Sequence, residues 1–159
     1  MKTIAKKVMA LSATIAMAST TQVTANDDMY IGVQGSYPSF GLSVKKDIGK
    51  DYAVQGVLGA LGDVTQFSVR GIYKFQKEKD YNLYGYGAVG FWSWGGTKAF
   101  KSESNVGFGL GAGLEYDLRK VLGNAVPLFW NIELGANIVS FDNYDFSTVG
   151  IGGGLHYKF

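Results

Sequence analysis

His156 is the one histidine of the chain, and with no cysteine present it is the only side chain of the usual base or metal-ligand type near neutral pH. As a catalytic base it would need a nucleophile and an orienting carboxylate within hydrogen-bond reach. Its chain neighbours are Tyr157 and Lys158 and no serine lies within a few residues, so a triad would need both partners from other strands. One His and no Cys supply no zinc-type ligand set. Glycine recurs through 107–113 at every second position with no helix to follow, which is not a phosphate-cradling loop. No catalytic, cofactor-binding or metal residue is therefore expected, and the chain reads as a non-enzyme without a cofactor. What remains is ionic. Arg70, Lys74, Glu115 and Glu133 each stand on the polar side of a run whose other side is apolar. If that side is enclosed, the charges must pair. Such a set is either a structural plug or a gate along a narrow ion path.

The runs that carry these charges alternate with a period of two, the mark of a β-strand with one apolar face. In 106–117, Val106, Phe108, Leu110, Ala112, Leu114 and Tyr116 oppose Gly107, Gly109, Gly111, Gly113, Glu115 and Asp117. In 66–75, Phe67, Val69, Gly71, Tyr73 and Phe75 oppose Gln66, Ser68, Arg70, Ile72 and Lys74. In 128–138, Leu128, Trp130, Ile132, Leu134, Ala136 and Ile138 oppose Phe129, Asn131, Glu133, Gly135 and Asn137. The last run sets Val149, Ile151, Gly153, Leu155, Tyr157 and Phe159 against Gly150, Gly152, Gly154, His156 and Lys158. Two further strands are expected over 28–36 and around Phe40, Leu42 and Val44, the latter alternating with Gly41, Ser43 and Lys45. Two more, over 51–61 and 81–92, are apolar in both phases, so their faces stay open. Turns are expected at Tyr37-Pro38, at Asp47-Ile48-Gly49-Lys50 and at Lys77-Glu78-Lys79-Asp80. Loops are expected at 94–104 and 140–147, and 118–127 has room for a helical turn.

Ahead of the first strand, Lys2, Lys6 and Lys7 precede a short apolar stretch ending in small residues, the pattern of a cleaved secretory signal. Cleavage is expected after Ala25, with Ala18 as the alternative. Residues 1–25 hold three lysines and no acid, so the formal charge of +2 becomes −1 over 26–159. That balance gives nucleic-acid binding no support. One domain, 26–159, remains. No run in it is long and apolar enough for a spanning helix, so a membrane-crossing form must be a closed barrel.

The barrel's orientation follows from volume. An eight-stranded interior is just wide enough for side chains or one small ligand. Phe67, Tyr73, Phe75, Phe108, Leu110, Trp130 and Leu134 together would overfill it, whereas the glycine-rich polar face fits. The apolar face should therefore look outward into lipid, with aromatics in two belts: Phe75, Tyr81, Tyr116, Trp130, Tyr157 and Phe159 at one end, and Phe40, Phe67, Phe91 or Trp92, and Phe141 at the other.

Eight alternating strands, a polar interior and an aromatic last residue together make the chain resemble the OmpA- and OmpX-like barrels of bacterial outer membranes. The resemblance implies an eight-stranded antiparallel up-and-down transmembrane β-barrel, with both termini periplasmic. It implies that Leu155, Tyr157 and Phe159 form a C-terminal signal read by the barrel-assembly machinery. Outer-membrane lipid and lipopolysaccharide would surround a monomer. The expected role is structural, surface-contact or minor-permeability, without a general-porin channel, and the loops at 94–104 and 140–147 are the expected contact points. Two alternatives are an exported lipocalin-like carrier of an apolar ligand and a lipid-modifying enzyme with His156 near a serine and a carboxylate at the lipid boundary.

Overall fold

The computed structural model describes residues 28–36, 39–61, 64–95, 102–123, 126–140 and 148–159. Eight strands, β1 (Met29–Ser36), β2 (Ser39–Ile48), β3 (Tyr52–Leu61), β4 (Val64–Lys77), β5 (Tyr81–Trp94), β6 (Glu103–Asp117), β7 (Leu128–Ile138) and β8 (Thr148–Lys158), form one closed sheet. Each pairs antiparallel with the next, and β8 returns to β1 through Tyr30 opposite Lys158 and Val33 opposite Leu155. Closure leaves no unpaired edge among the strands. The fold is thus an eight-stranded, antiparallel, up-and-down β-barrel. Both termini of the barrel lie at one end, where the Phe159 N–H donates to the Met29 carbonyl at 2.9 Å. The helical turn expected after β6 is α1 (Arg119–Leu122).

Burial is inverted relative to a water-soluble barrel. Leu42, Leu58, Phe108, Leu110 and Leu134 stand on the outer surface and are 61–66% exposed. Arg70 and Glu133 are 3% exposed, and Gln34 and His156 are completely enclosed. The alternation read along β1, β2, β4, β6, β7 and β8 matches these two faces.

The structure settles the two open strands. On β3, Ala53, Gln55 and Val57 turn inward and Val54 and Leu58 outward. On β5, Tyr84, Tyr86 and Trp92 fill the interior, while Val89 and Phe91 face out, so Phe91 rather than Trp92 belongs to the outer aromatic belt.

Three boundaries differ from expectation, one of them only in that Lys77, expected in a turn, ends β4. The loop expected over 94–104 is shortened from both sides, because Trp94 pairs with Glu103 and Ser93 with Ser104. A 2.8 Å hydrogen bond from the Ser104 hydroxyl to the Ser93 hydroxyl reinforces that rung. The turn expected at Asp47 to Lys50 starts later. β2 runs through Ile48 because the Asp47 carboxylate has partners inside the barrel, and Gly49 (φ 71°) makes the reversal. The expectations for Tyr37-Pro38, for Phe141, for residues 1–25 and for most of the two long loops lie outside the described residues.

Interior glycines are spaces for tyrosines. A Cβ added to Gly113 would sit 2.7 Å from the Tyr84 ring, and one added to Gly111 would sit 2.7 Å from the Tyr86 ring. On the outer face the reverse holds. A Cβ at Gly71 or Gly87, which face each other across β4 and β5, would meet nothing within 4 Å. They floor a shallow hollow of about 440 Å³ rimmed by Ile48, Tyr52, Val54 and Tyr73. Gly113→Val is therefore expected to cost about 1–3 kcal/mol through overpacking. Gly71→Val is expected to be neutral or stabilising, since valine suits a strand better than glycine. The urea midpoints of the two variants in one lipid check this, and equal shifts would refute it.

Candidate functional site

The enclosed polar core is built from residues that alternate inward from every strand, and among the described residues three ion pairs cross it. Arg70 on β4 donates through Nη1 to Glu133 on β7, at 3.0 Å to Oε2 and 3.3 Å to Oε1. Glu133 Oε1 also accepts from the Tyr84 hydroxyl at 2.8 Å, and the guanidinium lies 4.8 Å from the centre of the Tyr86 ring. Lys45 on β2 pairs with Glu115 on β6, across the full width of the barrel, and stands 4.2 Å over the Tyr30 ring. Lys74 Nζ donates to Asp47 Oδ1 at 2.7 Å, and the Tyr30 hydroxyl donates to the other oxygen of that carboxylate at 3.2 Å. Phe129 meets Tyr30 edge to face at 5.3 Å and closes this layer. The pairs are shielded from bulk solvent, so each attraction is strong, and each group would be costly without its partner.

The four charges singled out in the sequence are all buried, and of them Arg70 and Glu133 pair with each other. Arg70 takes Glu133, whereas Glu115 and Lys74 take Lys45 and Asp47. The alternation along β2 puts Lys45 on the polar face without naming its partner, and Asp47 by type reads as a turn residue. Period two extended by one more inward position on β2 would have reached Asp47. Leu155, Tyr157 and Phe159 sit on the outward face, and the rings of Tyr157 and Phe159 meet edge to face at 5.5 Å.

A neutral cluster adjoins the ion pairs. Gln55 Nε2 donates to Ser43 Oγ at 2.8 Å and lies 3.3 Å from His156 Nε2. His156 Nε2 is 3.0 Å from Ser43 Oγ, and Asn131 Nδ2 donates to Gln34 Oε1 at 2.9 Å. Strand pairing thus brings His156 a serine that local sequence did not. The contact has the separation of a nucleophile and its base, but the rest of a triad is missing. His156 Nδ1 has no hydrogen-bond partner among the described residues. Both side chains are also enclosed, Ser43 at 1% exposure and His156 at none, away from the outward face where a lipid ester would arrive.

Two features narrow the bore among the described residues. Near the ion pairs, the void among Lys45, Gln55, Ile72, Lys74, Tyr84, Glu115 and Asn131 is only about 10 Å³. At the end away from the termini, Val64, the fully buried Trp92 and Val139 form an apolar cluster, with Trp94 against it.

The outward face has edges. On β6 the apolar column runs from Val106 to Tyr116 and is preceded by Ser104; on β4 it runs from Phe67 to Phe75, preceded by Thr65 and ended by a register shift between Lys74 and Gln76. At about 3.4 Å per residue and a tilt of about 40°, the ten steps on β6 give a band of roughly 26 Å and the eight on β4 roughly 21 Å, on either side of the roughly 25 Å apolar height of a transmembrane barrel.

No protein-family model and no curated protein sequence matches the chain. Among solved structures it is similar to the N-terminal β-barrel domain of OprF from Pseudomonas aeruginosa. The TM-score is 0.62 at 14% identity, covering 87% of this chain and all of that domain. Looser likenesses, with TM-scores of 0.48 and 0.46 at 18% identity, are to Ail of Yersinia pestis in a nanodisc and in a crystal, each covering 86% of this chain and all of the other. The OprF likeness is one of fold: a small eight-stranded barrel matched over its full length.

Proposed function

We propose that this chain is a bacterial outer-membrane β-barrel protein with a structural or surface-contact role and at most minor permeability. The inversion of burial carries the reading: an apolar band of roughly 21–26 Å outside and paired charges within suit hydrocarbon around the barrel, not water. The likeness in fold to the OprF barrel domain supports it. The narrowed bore argues against a general porin. An ionic interior with little free space near its charges is a poor home for the apolar ligand of a lipocalin-like carrier. The enclosed Ser43–His156 contact gives no access to lipid, so no enzymatic step is assigned.

In this reading residues 1–25 are a signal removed on export and both barrel termini face the periplasm. The barrel is a monomer among phospholipid and lipopolysaccharide, and Leu155, Tyr157 and Phe159 present the assembly signal. Fractionation of expressing cells is expected to place the protein in the outer membrane, folded and shifted in gel mobility by boiling. In planar bilayers it is expected to pass far less current than a porin. Recovery as a soluble periplasmic protein would refute the membrane assignment, and porin-sized conductance would refute the narrowed bore.

A further inference from the structure

We infer that the small void beside Gln55 and Asn131 is a binding site for a single water molecule that belongs to the fold. Its volume, about 10 Å³, is that of one water-sized sphere. Gln55 and Asn131 line it, are 1% and 3% exposed, and each keeps an amide oxygen with no hydrogen-bond partner among the described residues. Their nitrogens are engaged, with Ser43 Oγ and Gln34 Oε1 respectively. Turning the Asn131 amide over would set its oxygen against Gln34 Oε1, so the orientation with a spare oxygen is the favourable one. Two buried acceptors on residues that line one void call for a donor.

The wall selects that donor. Lys45 and Lys74 line the same void, and two ammonium groups exclude a cation. The two amide oxygens and the Glu115 carboxylate disfavour an anion, and the small volume favours water over a larger guest. Water donates two protons, one to each amide oxygen. Its lone pairs accept from an ammonium N–H, of which each lysine has three. Bound there, it joins the neutral cluster around Ser43, Gln55 and His156 to the Lys45–Glu115 and Lys74–Asp47 pairs in one cross-barrel network. This goes beyond the proposed function and does not depend on it, since the same wall exists whatever surrounds the barrel.

A crystal structure of the whole mature barrel, at a resolution that shows ordered water, tests the assignment. It is expected to show one solvent peak within hydrogen-bond distance of Gln55 Oε1 and Asn131 Oδ1. Gln55→Met, which fills similar space without the acceptor, is expected to lose that peak and keep the Lys45–Glu115 pair. A dry void, or Lys45 or Lys74 Nζ bonded directly to both oxygens, overturns the proposal. So does a Gln55→Met barrel that retains the water unchanged. If that variant fails to fold, the wild-type density decides alone.

Discussion

Replacing Glu133 by leucine is expected to remove about 3–5 kcal/mol from the stability of the barrel, the usual cost of leaving one member of a buried ion pair alone. The carboxylate is 1% exposed and accepts from Arg70 and from the Tyr84 hydroxyl. Its loss strands a guanidinium that is 3% exposed and out of reach of bulk solvent. Glu115 and Asp47 cannot take over, because Lys45 and Lys74 already hold them. Adding Arg70→Met to Glu133→Leu removes the stranded charge, and the double variant is expected to return close to wild type, since apolar replacement of both members of such a pair is often neutral or better. Urea titration of the folded fraction in lipid vesicles, followed by the boiling-sensitive gel shift, measures all three barrels. A single variant within about 0.5 kcal/mol of wild type would show that the pair is hydrated, and the closed interior would then be wrong.

Leu110→Arg is expected to cost about 2–4 kcal/mol in a bilayer, the penalty for arginine at the midplane of a lipid-facing barrel surface. Leu110 lies midway along β6 on the outer face and is 62% exposed. Were that face in water, arginine at so exposed a position would change stability by no more than about 0.5 kcal/mol. The predicted effect and its rival therefore differ several-fold. Ser104→Arg, on the same column beyond the apolar band, serves as the reference and is expected to cost no more than about 1 kcal/mol. Equal, small losses for the two variants would mean that no hydrocarbon surrounds the barrel.

Six of the eight strands were legible as to both existence and facing, because glycine or polar residues alternate with large apolar ones and a period of two assigns the sides. β3 and β5 resisted for a physical reason. β5 places bulky residues inward where β6 and β7 carry glycine, whereas β3 turns the apolar Ala53 and Val57 inward beside Gln55. Tyr84 and Tyr86 occupy space that Gly111, Gly113 and Gly135 leave open, so both phases of β5 look apolar along the chain. Strand ends were less legible still, since Asp47 and Ser93 are turn-prone by type and are held in strands by partners on other strands.

Strand number, antiparallel order and the choice of charged face were determined by the sequence alone, because each follows from local alternation and the limited volume inside eight strands. The pairing of the core was decided only by the tertiary structure. Lys45 reaches Glu115 across 70 positions, and His156 reaches Ser43 across 113. Such contacts depend on the stagger at which the sheet closes on itself, and no local pattern encodes that stagger. Which charge meets which, and which amides are left to meet water, are consequences of closure.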